Sequence, residues 1–150
     1  KLNTGEEGYV TDITWRNTTI RTLSKNMIIV PNANLAAAII TNFQLPEKDV
    51  SVHVQVGVSY ESDLEKVEKT TLEIAGEIVG ERGAPGFEPV VHYQTFGDFS
   101  INFMVIMRAM DFADQGLMIH EFIKRLHRRF REEGIEIPFP VRTIHLKKEE

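Results

Sequence analysis

Val50-Ser51-Val52-His53-Val54-Gln55-Val56-Gly57-Val58-Ser59-Tyr60 is the stretch that decides the fold. Six valine or tyrosine positions alternate with five small or polar ones. Successive side chains of an extended chain point to opposite faces, so this alternation predicts a strand with one buried face. Ser62-Asp63-Leu64-Glu65 follows it and has the form of a capping box, with Ser62 and Glu65 each serving the other's backbone N–H. The helix opened there carries Leu64, Val67, Thr71, Ile74, Ala75 and Ile78 at helical spacing. Gly80 and the Gly83-Ala84-Pro85-Gly86 run are expected to stop it.

The period then returns to two. Val90 to Phe96 reads as a strand, Gly97-Asp98 as a hairpin turn, and Phe99, Ile101, Phe103, Val105 and Met107 as the apolar face of the next strand. A second helix is predicted from about Asp114, with Leu117, Ile119, Phe122, Ile123, Leu126 and Phe130 inward and Lys124, Arg125, Arg128 and Arg129 opposite. Gly134 suits the residue just past its C-terminus. Pro138 and Pro140 bracket Phe139, which makes that segment extended and poor in hydrogen-bond donors, and Val141 to Leu146 reads as a last short strand. The resulting order, β-α-β-β-α-β, is the ferredoxin-like arrangement, which hosts many functions.

Upstream of residue 47 the pattern is one of short strands. Tyr9, Thr11, Ile13 and Trp15 share one side of an extended segment, Arg16-Asn17-Thr18 can turn, and Thr19 to Leu23 is extended in character. Ser24-Lys25-Asn26 is a second turn signal before the apolar run Met27 to Val30. Pro31-Asn32 ends that run, Asn32 can cap a helical turn over Leu35 to Ala38, and Ile40 to Leu45 can form a further strand. Closely spaced short strands suggest a small barrel or sandwich. The fold class is therefore α+β: a small β domain over residues 1–46, then an α/β domain from residue 47.

Composition narrows the function classes. With no Cys among 150 residues, no disulfide, thiolate metal site or cysteine nucleophile exists. The formal charge of -5 argues against nucleic acid as a partner. Acidity concentrates in residues 47–111, with 12 acidic and 5 basic side chains. Glu65, Glu68, Glu73 and Glu77 read there as solvated helix positions. His53, His92, His120, His127 and His145 form no close pair at metal-ligand spacing. The Gly80–Gly86 stretch follows a helix instead of opening one, so it is no phosphate loop. No nucleophile motif occurs, and no catalytic, cofactor or metal site is expected. Asn26 to Pro46 lacks charge, yet Pro31, Asn32, Asn34, Asn42 and Gln44 interrupt it, so it is not read as a membrane span. No signal peptide is visible at Lys1 to Val10, and the abrupt start suggests a segment of something longer.

Five segments in order carry a resemblance over nearly the whole chain. They are Gly8 to Thr22; Asn26 to Ala33, ending in Pro31-Asn32; Asn42-Phe43; Val56 to Asp63; and Gly134-Ile135-Glu136-Ile137-Pro138-Phe139-Pro140. Together they resemble the small-conductance mechanosensitive channel family. The resemblance implies an Sm-like middle β domain, here lacking its first strand, then an α/β domain to residue 141. A C-terminal strand and tail, residues 142–150, would follow, with Arg142 to Leu146 entering a seven-stranded barrel. It implies a homoheptamer whose subunits enclose a cytoplasmic chamber under an inner-membrane pore, reached by ions and small solutes through side openings and opened by tension under osmotic stress. The pore-lining helix and other membrane spans would precede Lys1. Structural or interface roles fall on Arg21, Pro31, Asn32, Gly134, Pro138, Phe139 and Pro140: Arg21 for contacts to the membrane part or a core-edge salt bridge, and Phe139 for anchoring the last strand. The acidic middle would line the openings. The competing class is a freestanding Sm-like or ferredoxin-like module for RNA or a small ligand. RNA binding calls for a basic sheet face bearing aromatics; the sequence offers Phe99, Ile101 and Phe103, but on a strand whose apolar face more simply packs on helices.

Overall fold

The computed structural model describes residues 1–140. They divide into two compact units, one ending at Glu47 and one beginning at Lys48.

In the first unit three strands form an antiparallel sheet in the order β1 (Gly8–Ile13), β2 (Asn17–Thr22), β3 (Met27–Pro31). β-branched residues fill β2, which suits a central strand. Ile20 lies opposite Val10 on one side and Ile28 on the other, and a register shift between Val10 and Asp12 marks a bulge. The β1–β2 turn closes earlier than Arg16-Asn17-Thr18, because Thr14 and Asn17 bond to each other through backbone and hydroxyl and draw Asn17 and Thr18 into β2. The sheet is open, with no closed barrel among the described residues.

Two further expectations change here. The short helix α1 (Asn32–Ala37) has Pro31 at its N-cap and no side-chain cap, since the Asn32 amide is engaged with the hairpin instead. The expected strand over Ile40 to Leu45 is reduced to one bridge between Leu2 and Ile40. Asn42 Oδ1 accepts from the Gln44 N–H at 2.8 Å, a local turn that competes with extension.

The second unit runs β4 (Val50–Val58), α2 (Leu64–Arg82), β5 (Val90–Phe96), β6 (Ile101–Ala109), a 3₁₀ turn (Phe112–Asp114) and α3 (Gln115–Glu133). The sheet order is β4-β6-β5, antiparallel throughout. This gives five of the six elements of the β-α-β-β-α-β order. The final strand, expected over Val141 to Leu146, lies outside the described residues. In β6 every second residue from Ile101 to Ala109 is buried. Val54 and Val91 flank Val105 in register, and Val52 pairs with Met107.

Both helices pack on that face. α2 contributes Val67, Thr71, Ile74, Ala75 and Ile78, and α3 contributes Met118, Phe122, Leu126 and Phe130. The buried stripe of α3 runs strictly at i+4, so Leu117 and Ile123 fall beside it and are exposed. The buried Thr71 hydroxyl donates to the Val67 carbonyl, and no buried side-chain polar atom lacks a partner among the described residues.

Helix ends also depart from expectation. The cap of α2 is Asp63, whose carboxylate accepts from the N–H groups of Glu65 and Lys66 and also favours the positive end of the helix dipole. Gly80 does not stop α2; the helix continues to Arg82 and ends at Gly83. A Cβ on Gly83 would lie 2.6–2.7 Å from Val79 atoms, so only glycine permits this close turn.

Phe103 and Phe122 are fully buried. Truncating either to alanine is expected to cost about 3–5 kcal/mol, read as a lower denaturant midpoint, whereas Leu117→Ala should shift it by less than about 0.5 kcal/mol.

Candidate functional site

No cluster of three His, Asp or Glu side chains able to hold a metal occurs among the described residues. Ile101 and Phe103 face the helices and are buried, which removes two of the three aromatic or apolar side chains an RNA-binding sheet face would use. Of the family-motif residues, Pro31, Asn32 and Gly134 stand at two structural joints, one in each unit.

The first joint is the Pro31-Asn32 corner. Pro31 ends β3 opposite Asn17, and its fixed φ of -58° leads into α1. Asn32 then clamps the β1–β2 hairpin. Its N–H donates to the Arg16 carbonyl at 2.8 Å, its Nδ2 donates to the Thr14 carbonyl at 2.9 Å, and its Oδ1 accepts from the buried Thr18 hydroxyl at 2.7 Å. Aspartate could accept but not donate, so this set needs the amide. Arg21 lies elsewhere on the sheet, opposite Tyr9 and Met27, exposed and without an ion pair among the described residues.

The second joint is the end of α3. Gly134 adopts φ 69° and ψ 23°, the left-handed conformation that glycine takes without steric cost. Ile135 N–H reaches back to the Phe130 carbonyl at 2.8 Å while its side chain is buried, the pattern of a Schellman cap. The Glu136 carbonyl then accepts from Ser59 N–H at 3.0 Å, which ties the exit segment to the end of β4. Lys66 donates to the Glu133 carbonyl at 2.8 Å beside this joint. Pro138, Phe139 and Pro140 continue as non-strand chain, with Phe139 83% exposed. The prolines remove the donors that further pairing would need.

Several helix carboxylates expected to be solvated are exposed and are also paired between helices. Arg125 makes a two-pronged contact with Glu81 at 2.7 and 2.8 Å, with Glu77 and Glu121 further out, and Arg129 reaches Glu73 and Glu133. Much of the acidity of α2 is therefore neutralised by the basic face of α3. The Arg125 hydrogen bonds hold the Glu81 carboxyl below its ordinary range, and Glu81 in turn raises Arg125. Burial, with Glu68 and Asp63 adding to it, pushes Tyr93 up to about 12, and its hydroxyl donates to the Leu64 carbonyl.

One conspicuous feature escaped the sequence pattern. Trp15 is 81% exposed at the β1–β2 tip and Arg16 stacks on it, 4.0 Å from the ring centroid. Alternation grouped Trp15 with Tyr9, Thr11 and Ile13 on one side of an extended segment, but β1 ends at Ile13, so Trp15 lies beyond the strand.

Comparison with known proteins agrees with this architecture. Residues 4–45 match the family described as "Mechanosensitive ion channel, beta-domain", and residues 52–137, more than half the chain, match "Mechanosensitive ion channel MscS, C-terminal". The chain belongs to the MscS family of mechanosensitive channels, which are not enzymes. It is 33% identical to two Methanocaldococcus jannaschii proteins, the small-conductance mechanosensitive channel MscMJ and the large-conductance mechanosensitive channel MscMJLR. Each match covers 97% of this chain but only 41% and 42% of the relative. The crystal structure of Helicobacter pylori MscS in its closed state superimposes with a TM-score of 0.84 at 26% identity, over 97% of this chain and 56% of that one. Among the described residues no helix is long and apolar enough to cross a membrane.

Two outcomes are expected. Gly134→Ala should lower stability by about 1 kcal/mol through the forced left-handed residue, measured by thermal melting. Because Glu81 has a lowered folded-state pKa, its pairing stabilises above the unfolded value and is lost as pH falls through the folded one. Stability of Glu81→Gln should therefore fall less than that of the parent between pH 7 and acid pH.

Proposed function

We propose that this chain is wall material of the cytoplasmic vestibule of a tension-gated channel, serving subunit assembly and the passage of ions and small solutes to an inner-membrane pore during osmotic stress. Its two units would correspond to the middle β domain and the α/β domain. Membrane spans would precede Lys1, seven copies would close the ring, and residues 142–146 would supply one barrel strand each. Pro31 and Asn32 would fix the β-domain corner. Gly134 and the Pro138-Phe139-Pro140 segment would deliver the chain from α3 to the barrel.

The observation that most favours this role is the incomplete burial of the first unit. Thr18 and Ile20 are its only buried side chains among the described residues. Val10, Ile13, Met27 and Ile29 are 57%, 69%, 59% and 66% exposed. A sheet this apolar and this open is suited to further protein against it. The second unit, by contrast, closes its own core.

The parent gene is expected to encode apolar stretches of about 20 residues ahead of Lys1, and its product, purified in detergent, should give a seven-subunit mass by native mass spectrometry. A gene without such stretches, or a monomeric product, contradicts the proposal.

A further inference from the structure

The β1–β2 tip carries an exposed indole with one guanidinium stacked on it, and hydrogen bonds fix its turn. Trp15 is the only tryptophan in the sequence. Arg16 stacks on it and makes no ion pair among the described residues. A stacked guanidinium still offers its N–H edge to a phosphate in a two-pronged contact. The tip is not a slack loop: Asn32 grips both the Thr14 and Arg16 carbonyls, and Thr14 closes the turn on Asn17.

Indole and guanidinium side by side are the chemistry that settles at a bilayer interface, the ring at headgroup depth and the cation on phosphate. A protein partner that buried both side chains would need acceptors, carboxylate or carbonyl, placed to meet the guanidinium. A lipid phosphate layer supplies the anion wherever the tip lands. We propose that Trp15 and Arg16 form a lipid-contacting tip that rests on the phosphate layer of an anionic bilayer, and that Asn32 is its positioning residue. This rests on the proposed function only in supposing that the unit is held beside a membrane. The net charge of -5 would keep a free chain away from anionic lipid. Tethering supplies the high effective concentration that overcomes this.

The sequence suits a direct test. It has no Cys and one Trp, so a cysteine added ahead of Lys1 couples the whole chain to a maleimide lipid while Trp15 alone reports. On vesicles of phosphatidylcholine with phosphatidylglycerol, Trp15 emission should shift to the blue and be quenched by lipid brominated near the headgroup. Arg16→Gln should lose the part of the quenching that depends on phosphatidylglycerol. Asn32→Ala should weaken quenching while the far-UV signal of α2 and α3 persists. Emission that ignores bromine, or that quenches equally for Arg16→Gln and the parent, overturns the proposal. So does a blue shift that appears without lipid as protein concentration rises, which would mean that a second copy covers the tip. None of these outcomes depends on what the parent gene encodes ahead of Lys1, so the vestibule role and the lipid contact can fail separately.

Discussion

Strand β6 has to be dry on one face along its whole length, and the second unit is organised by that demand. Phe103, Val105, Met107 and Ala109 have no solvent exposure at all. A strand bounded by two others still leaves such a face open, and a second layer, here two helices, must cover it to exclude water. The i+4 stripe of α3 and the Val67-to-Ile78 face of α2 meet over β6 for this reason. Once they do, their outer faces come within reach of each other, and Arg125 and Arg129 pair with the α2 carboxylates. Those surface pairs add little energy by themselves. The two-pronged Arg125–Glu81 geometry nevertheless favours one sliding position of the helices over its neighbours.

The first unit solves a different problem. Its apolar side chains have no second layer over them among the described residues, and only Thr18 and Ile20 are buried. What it does have is a stiff corner. Asn32 joins the end of β3, the start of α1 and the β1–β2 turn through three hydrogen bonds. A sheet that is rigid at its corner and open on its faces suits docking, since rigidity lowers the entropy lost on contact.

The alternations at Val50–Val58 and Ile101–Met107 were legible because a half-buried strand needs period two, and a slip of one residue would turn every valine outward. Helix positions were legible for the same kind of reason. Ends were less so: Asp63 took the cap from Ser62 because several nearby side chains can cap and geometry chooses among them. Asn32 was recognised by its motif, yet its role as a clamp depends on Thr14 and Thr18, distant in sequence and brought near only by strand pairing. The Arg125 and Arg129 partners were hidden likewise, since each helix read alone shows a solvated charged face. Trp15 was grouped with the strand residues because alternation does not say where a strand stops.

The second unit closes its own core, and the first is proposed to complete its burial only on assembly. Hydrogen exchange followed by mass spectrometry tests this most directly, on the chain as a monomer and in its assembled parent. In the monomer, β6, α2 and α3 amides should exchange only through global unfolding, while β1–β3 amides exchange much faster and become protected only on assembly. Equal protection of β1–β3 and β6 in the monomer would contradict the account.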